Sequence, residues 1–179
     1  MNAQVRPVGS AVITRDTGSQ MIVARTADAG GSMTTINHTA TATVPVSTAF
    51  AHVADYRTVP QWFFGISRFV PQGAKDYGLG AVYDSAVKIG PKEIGSVVEV
   101  TEFDEDSLIT LKSISGFRTT SRWRFRAVDE GRTELAVEFT YDLPGGFAGK
   151  ALGMIIEPFA VQAVKASEAA LRRDLEGAA

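Results

Sequence analysis

The pattern of apolar positions near the end of the chain predicts one long amphipathic helix, over residues 147–176. Apolar residues recur there at three- and four-residue spacing, which places them on one face of a helix. They are Leu152, Ile156, Phe159, Ala160, Ala163, Val164, Leu171 and Leu175. At about 1.5 Å per residue such a helix is about 45 Å long, so it needs a large partner surface. Pro158 lies inside it and predicts a bend.

The middle of the chain alternates between apolar and polar positions, which is typical of half-buried strands. The first predicted strand covers residues 34–44. Two short helices follow, one that Ser47 caps and that ends near Asp55, and one around residues 59–62. Six more strands are predicted at 67–70, 81–89, 93–103, 108–114, 119–128 and 133–143. We therefore expect an α+β fold, in which a curved antiparallel sheet of about seven strands wraps around the C-terminal helix.

Charged positions on the last two strands predict their register. Placing Arg126 opposite Glu134 also places Arg122 opposite Glu138. Opposite charges then pair on the face toward water, while the aromatic face is buried. The hairpin is therefore expected to form in this register.

Residues 1–32 differ from the rest of the chain. They are rich in Gly, Ala, Ser and Thr and show no sustained period, although the apolar positions around Val12 and Met21 are compatible with short strands. Residues 29–32 are typical of a linker. We expect one folded domain at 33–179 and a flexible extension at 1–32, whose deletion leaves the melting temperature nearly unchanged.

Composition narrows the class of protein. A chain of 179 residues that is 45% hydrophobic fits one globular domain. A net charge of −2 without a basic run argues against nucleic-acid binding. The chain has no cysteine, no apolar stretch long enough for a membrane span and no signal-peptide pattern. We therefore expect a cytoplasmic protein, monomeric or homodimeric, without disulfides or an integral membrane segment.

Several segments, in their order along the chain, resemble one known superfamily. They are Pro45-Val46-Ser47 with Phe50, Val53-Ala54-Asp55-Tyr56 with Trp62, Gly78-Leu79-Gly80-Ala81, Val100-Thr101-Glu102-Phe103-Asp104, and Trp123-Arg124-Phe125 with Gly131-Arg132-Thr133-Glu134-Leu135. The chain from Met33 onward resembles the START-like (SRPBCC) superfamily with its helix-grip fold, and within it the polyketide cyclase/dehydrase-like branch. The resemblance implies a cavity between sheet and helix that takes hydrophobic ligands such as lipids, sterols, polyketides or aromatic hormones.

The predicted faces supply candidate residues for this cavity. The sheet contributes Tyr83, Ser85, Val87, Val98, Val100, Trp123, Phe125, Phe139 and Tyr141, and the helix contributes Ile155, Ile156 and Phe159. Trp62, Phe63 and Phe64 are expected to close one end, and Phe117 is a candidate gate between the entrance loops at 89–92 and 115–118. A plain packed core is the alternative. Inward polar atoms such as those of Ser85 and Ser121 favour a cavity, because they need partners that a ligand or water can supply.

Candidate catalytic groups are few. His38 and His52 are the only histidines, and no carboxylate is spaced to form a metal site with them, so we expect surface or structural roles and no metal or cofactor. Ser85 and Ser121 have no evident histidine partner for a serine triad. The segment 145–150 lacks the first glycine and the final Ser or Thr of a phosphate-binding loop.

Three candidate functions fit the resemblance and these residues. The catalytic residues, if there are any, stay unknown. The first is binding of a small hydrophobic or aromatic molecule, such as a lipid or polyketide, without chemistry. The second is a polyketide aromatase/cyclase-type enzyme, in which Tyr83, Ser85, Tyr141 or a cavity-facing Arg118 orients carbonyls or moves protons. The third is a quinone- or lipid-binding, chaperone-like interaction protein.

Overall fold

The structure, a computed structural model, describes residues 12–16, 19–28, 31–144 and 146–177. The strands in these residues are β1 (Val12–Asp16), β2 (Ser19–Asp28), β3 (Gly31–Ala42), β4 (Ile66–Pro71), β5 (Val82–Ile89), β6 (Lys92–Asp104), β7 (Leu108–Gly116), β8 (Thr119–Asp129) and β9 (Arg132–Pro144). The helices are α1 (Val46–Ala54), α2 (Val59–Trp62) and α3 (Gly146–Gly177).

The strands form one antiparallel sheet in the order β1-β2-β3-β9-β8-β7-β6-β5-β4. The α3 helix packs against β3, β9 and α2 on one face of this sheet. The predicted α+β fold, with two short helices and a long C-terminal helix, is confirmed. The sheet has two more strands than the seven expected, because β1 and β2 extend it beyond β3.

The apolar face of α3 is buried as its period predicts. Near the C-terminal end, Leu171 and Leu175 lie in a core with residues of the sheet and of α1 and α2. Nearer the N-terminal end, Ile156 and Ala160 lie in a second core that includes Tyr141. Pro158 is on the exposed side of the helix, and the bend expected there stays a prediction.

The first short helix begins differently from the prediction. Pro45 is the N-cap of α1, and no side chain caps this end. Ser47 already lies inside the helix and is exposed, so its predicted capping role is wrong. Phe50 and Val53 are buried as expected, because they share the face that meets the sheet.

The predicted register of the β8–β9 hairpin is confirmed, with Arg126 opposite Glu134 and Arg122 opposite Glu138. Arg126 pairs with Glu134 at 2.9 Å. The Arg122 guanidinium instead donates to Glu102 on β6, and its Nε also lies 3.1 Å from the hydroxyl of Thr110 on β7. Such exposed pairs contribute less than about 1 kcal/mol each, so their main effect here is on register.

The N-terminal region differs from the expected flexible extension at Ser19–Asp28, which forms β2 and pairs with β3 along its whole length. Met21 is only 2% exposed and joins the core that contains Ile36 and Tyr141. The physical reason is that β3 would otherwise present an unpaired edge, which β2 satisfies with backbone hydrogen bonds. Residues 1–11, 17–18 and 29–30 of the expected extension lie outside the described residues. The domain boundary near Met33 stays a prediction.

Deleting residues 1–30 is now expected to destabilise the protein. Burial of the Met21 side chain alone contributes about 1.5–3 kcal/mol, which corresponds to a fall in melting temperature of about 3–12 °C for a chain of this size. Thermal unfolding of the truncated and complete chains measures this. A matched deletion of residues 1–11, which leaves both β1 and β2, is the control. An unchanged melting temperature after deletion of 1–30 would restore the original expectation.

Candidate ligand-binding cavity

A cavity of about 170 Å³ lies between the inner face of the sheet and the helices α1, α2 and α3. On the same measure one water molecule needs only about 10–15 Å³, so the space fits a ligand of many atoms. Ten of the candidate residues lie in its wall: Trp62, Tyr83, Ser85, Val87, Val98, Val100, Phe117, Trp123, Phe139 and Phe159. Phe63, Ser121 and Ile156, also expected to face inward, lie there as well.

Strand alternation explains why the sheet residues meet at this cavity. Tyr83, Ser85 and Val87 are two residues apart on β5 and therefore point to the same face. Trp123 on β8 meets Trp62 of α2 edge-to-face, with ring centroids 5.4 Å apart. The short helix α2 thus closes the cavity beside the sheet with an aromatic pair.

Two candidate residues lie outside the cavity because they point toward solvent. Ile155 is 50% exposed, and its neighbour Ile156 lines the cavity instead. One residue along a helix turns the side chain by about 100°, so only one of the two can face the sheet. Phe64 is 42% exposed, and its ring packs 5.8 Å from the ring of Phe159.

Two further candidates are buried but are not in the cavity wall. Phe125 packs edge-to-face against Phe50 of α1, with centroids 5.3 Å apart. Tyr141 lies in the core that also holds Met21, beyond the cavity, and its ring is 6.4 Å from that of Phe117. Phe125 is thus packed against α1, and Tyr141 shares its core with Ile156 and Ala160 of α3.

The sequence analysis missed several wall residues. They are Val53, Ala54, Tyr56, Val59, Ile66, Phe69, Gly78, Ile89, Ile94, Ser96, Phe103, Ile109, Leu111, Thr119, Val137, Ala160, Ala163, Val164 and Ser167. Two signals would have found some of them. The alternation through Val98 and Val100 extends back to Ile94 and Ser96, and the apolar face of α3 continues to Ser167.

Several polar side chains of the wall have protein partners. The Tyr83 hydroxyl donates to the carbonyl oxygen of Asp76 at 2.8 Å. The hydroxyls of Ser85 and Ser96 lie 3.1 Å apart, and the Trp123 indole N–H donates to Ser121 Oγ at 2.9 Å. Each group named here thus has a partner in the protein, where the sequence analysis expected a ligand or water to supply it.

The described wall residues include no Asp, Glu, Lys, Arg or His. The expected cavity-facing Arg118 is wrong, because this side chain is exposed and its Nε lies 3.3 Å from an oxygen of Asp142. An ionised ligand would therefore meet no compensating charge in the wall, and burial of an unpaired charge is costly.

One end of the cavity lies at the turns that join β5 to β6 and β7 to β8. Gly116 adopts a φ of +79°, and a Cβ there would lie 2.5 Å from the carbonyl oxygen of Gly95, so the turn requires glycine. The next residue, Phe117, donates its backbone N–H to that same oxygen at 3.1 Å. Phe117 is thus held in the wall, and its role as a gate stays a prediction.

A sequence model of the family described as polyketide cyclase/dehydrase and lipid transport matches residues 33–176. The chain belongs to this family. A search among curated proteins gives no significant match.

Solved structures of other proteins show the same fold. A protein from Thermus thermophilus aligns with a TM-score of 0.70 at 16% identity, over 81% of this chain and 99% of that one. The Zhui aromatase/cyclase from Streptomyces sp. R1128 aligns at 0.66 and 16% identity, over 80% and 94%. A START superfamily protein from Mycobacterium smegmatis aligns at 0.65 and 17%, over 81% and 99%.

Membrane-spanning helices and metal sites were both looked for in the described residues. No helix in the described part of the chain is long and apolar enough to cross a membrane. Within the same residues, no group of three or more His, Cys, Asp or Glu side chains is arranged to hold a metal ion.

Tyr83 is the wall residue whose acidity is most changed. Burial, and secondarily the nearby Asp76 carboxylate, raise the pKa of Tyr83 to about 12. Burial also raises the pKa of Tyr141, which lies outside the wall. At neutral pH the Tyr83 phenol therefore stays protonated, and its hydroxyl donates a hydrogen bond to the Asp76 carbonyl oxygen.

Protein stability is expected to decline in alkaline solution in a way that depends on Tyr83. The folded pKa of about 12 lies above the ordinary value of 10, so the folded state holds this proton more tightly. The resulting stability is complete below about pH 10 and is lost as the pH rises toward 12. Urea unfolding across this range measures it, with Tyr83→Phe as the comparison. An identical pH slope in wild type and Tyr83→Phe would contradict the assignment.

Outside the cavity, the structure brings together a serine, a histidine and a carboxylate. His38 on β3 is buried, and its Nε2 lies 3.4 Å from Glu168 Oε2 on α3 and 3.2 Å from Ser19 Oγ on β2. A catalytic triad uses the two opposite ring nitrogens. Here both partners lie near Nε2, so the three side chains link β2, β3 and α3. This arrangement agrees with the structural role expected for His38.

His52, the second histidine, also lies outside the cavity wall. It lies half-buried on α1. Burial lowers the pKa of His52, against the opposing effect of Asp174 and Asp55. The histidine is therefore held toward its neutral form, away from the cavity wall.

Proposed function

We propose that this chain binds one small, neutral and largely apolar molecule in the cavity between the sheet and α3, without acting on it chemically. The observation that carries the proposal is the wall itself, which is apolar and aromatic and contains no charged side chain among the described residues. Small-molecule sites are typically concave and apolar, with a few polar groups that fix orientation.

The arrangement of polar groups favours binding over catalysis. Proton transfer requires a group within hydrogen-bond reach of the substrate and with a pKa near the working pH. The pKa of Tyr83 is raised to about 12, and its hydroxyl donates a hydrogen bond to the backbone carbonyl oxygen of Asp76. Ser85 is paired with Ser96, and no imidazole or carboxylate lies in the described wall to activate it.

The aromatase/cyclase function remains the alternative that the family and the Zhui neighbour suggest. Two of the four residues considered for it lie elsewhere, since Arg118 is exposed and Tyr141 is outside the wall. The binding proposal needs no such group and therefore fits the wall more simply.

Titration with a neutral hydrophobic dye, Nile red, tests the proposal, with native mass spectrometry giving the stoichiometry. We expect one dye molecule per chain, and displacement of the dye by neutral aromatic compounds. Phe159→Ala, in the wall, should change the dye affinity at least severalfold. Ile155→Ala is the matched control, because it changes the exposed side of the same helix. Absence of any dye binding, or equal effects of both substitutions, would refute this site.

A further inference from the structure

Strand β2 presents one face to helix α3, along the part of the helix that lines the cavity. Alternate residues of a strand point to the same face, and on this face they are Ser19, Met21, Val23 and Arg25. Met21 is buried in the core that includes Ile156 and Ala160 of α3. Val23 packs against the same core. The middle of this face is therefore apolar, and its two ends are polar.

Each polar end of β2 is linked to a glutamate of α3. Arg25 Nη2 lies 2.7 Å from Glu157 Oε2. At the other end, Ser19 Oγ lies 3.2 Å from Nε2 of His38, and this nitrogen lies 3.4 Å from Glu168 Oε2. The two glutamates are about three turns of helix apart, or about 16 Å. This is similar to the length of β2 between its two polar ends, about 20 Å, so the strand runs alongside the helix over this distance.

The two glutamates lie at the two ends of the part of α3 that lines the cavity. Glu157 directly follows Ile156, the first described wall residue of this helix, and Glu168 directly follows Ser167, the last. Between them, the inward side chains line the cavity instead of a filled core, so they lack close neighbours on that side. The end of the helix that carries Leu171 is packed into an apolar core. The contacts with β2 therefore hold the part of α3 that the cavity leaves least supported.

The polar contacts at the two ends are of a kind that breaks and re-forms readily. The side chains of Arg25 and Glu157 are partly exposed, and exposed ion pairs are weak. His38 and Glu168 are buried, but a buried polar pair gains little net stability, because water hydrates both groups once they separate. The apolar packing at the C-terminal end of α3 has no such alternative partner and stays in place.

Strand β2 precedes residue 33, where the match to the family model begins. Its contacts with α3 are therefore an addition to the matched region.

Resting on the proposed binding function, we propose that β2 is a latch on α3 that sets the rate at which the ligand enters and leaves the cavity. The cavity-lining part of α3 moves away from the sheet when the contacts with β2 break, and it returns when they re-form. Weaker contacts make this opening more frequent, which speeds association and dissociation by the same factor. The closed cavity is unchanged, so the equilibrium affinity stays the same.

A charge exchange at the Arg25–Glu157 pair tests the latch. Arg25→Glu replaces the ion pair by a repulsion, and Arg25→Glu combined with Glu157→Arg restores the pair in reverse. Nile red release from the complete chain is followed by stopped-flow fluorescence, with phosphatidylcholine vesicles capturing the dye. We expect release to be about two- to fivefold faster in Arg25→Glu, to return to the wild-type rate in the exchanged variant, and to leave the dissociation constant unchanged. Ser19→Ala, at the other end of β2, should speed release about twofold.

Arg126→Glu is the matched control. Arg126 and Glu134 form an ion pair of the same kind, also partly exposed, on the face of the β8–β9 hairpin that points away from the cavity. The same change of charge there should alter neither the rate of release nor the affinity. An equal acceleration in Arg126→Glu would overturn the latch, because a general loss of stability would then explain both variants.

A covalent link between β2 and α3 should have the opposite effect. The chain has no cysteine, so Arg25→Cys with Glu157→Cys introduces the only two thiols, which a bismaleimide reagent can join. We expect release to be about tenfold slower, or more, after cross-linking, because the helix can no longer move away. The comparison is the same double variant with each thiol capped separately by N-ethylmaleimide.

The outcomes distinguish this inference from the proposed function. Equal release rates in wild type and Arg25→Glu, or an unaltered rate after cross-linking, would overturn the latch while binding itself stands. A weaker affinity of Arg25→Glu with an unchanged association rate would also overturn it, because the substitution would then act on the closed cavity. Failure of wild type to bind Nile red at all would overturn both.

Discussion

Replacing Ala163 by phenylalanine is expected to abolish ligand binding while the protein stays folded. Ala163 is buried on α3 and lines the cavity. A phenyl ring placed there enters the cavity of about 170 Å³ and takes space from the ligand. Overpacking a filled core costs about 1–3 kcal/mol, but here the ring enters open space. Nile red titration should show at least a tenfold loss of affinity, with a melting temperature close to that of wild type.

Ala166→Phe is the matched control for this substitution. Ala166 is one turn further along the same helix, half-buried, and not in the cavity wall. The substitution introduces the same ring on the same helix but outside the cavity wall. Dye affinity should therefore stay within about twofold of wild type. Retained dye binding in Ala163→Phe would mean that the ligand binds elsewhere on the protein.

Leu171→Ala should produce a large loss of stability. The Leu171 side chain is 0% exposed, in the core that also holds Trp62 and Leu175. Leucine-to-alanine changes at such sites cost about 2–5 kcal/mol, or a fall in melting temperature of about 4–20 °C for a chain of this size. Urea unfolding measures the loss. Because Leu171 is not in the cavity wall, the ligand affinity of the folded fraction should be unchanged.

Met154→Ala is the control on the same helix. Met154 is 75% exposed, so its truncation should change the free energy of unfolding by no more than about 0.5 kcal/mol. Similar losses in the two variants would show that the C-terminal part of α3 does not anchor the helix to the sheet. A large loss of affinity in folded Leu171→Ala would show that anchoring and binding are not separate parts of this helix.

The features predicted correctly are those that depend on residues close together in the sequence, within one element or on two adjacent strands. The buried face of α3 follows from three- and four-residue spacing, and the β8–β9 register follows from charges on two adjacent strands. The prediction failed at Ile155, which was placed in the cavity wall although the three- and four-residue spacing includes only its neighbour Ile156. Ile155 is 50% exposed, and only Ile156 reaches the cavity.

The features that were missed depend on residues far apart in the sequence. Strand β2 lacks a long apolar pattern, and it is held by pairing with β3 and by burial of Met21. His38 alternates with Ile36 and Ala40, so its burial was readable from the first strand, whereas its partner Glu168 lies 130 residues away. Likewise, the sequence indicates that Ser121 faces inward, but the indole that it accepts from is visible only in the fold.

The most direct test of the binding account is a crystal structure of the protein with a neutral aromatic compound such as acetylnaphthalene. The account predicts one molecule between the sheet and α3, in contact with Trp62, Trp123 and Phe159, which line the cavity. A ligand bound only on the outer surface, with the interior filled by repacked side chains, would contradict the account.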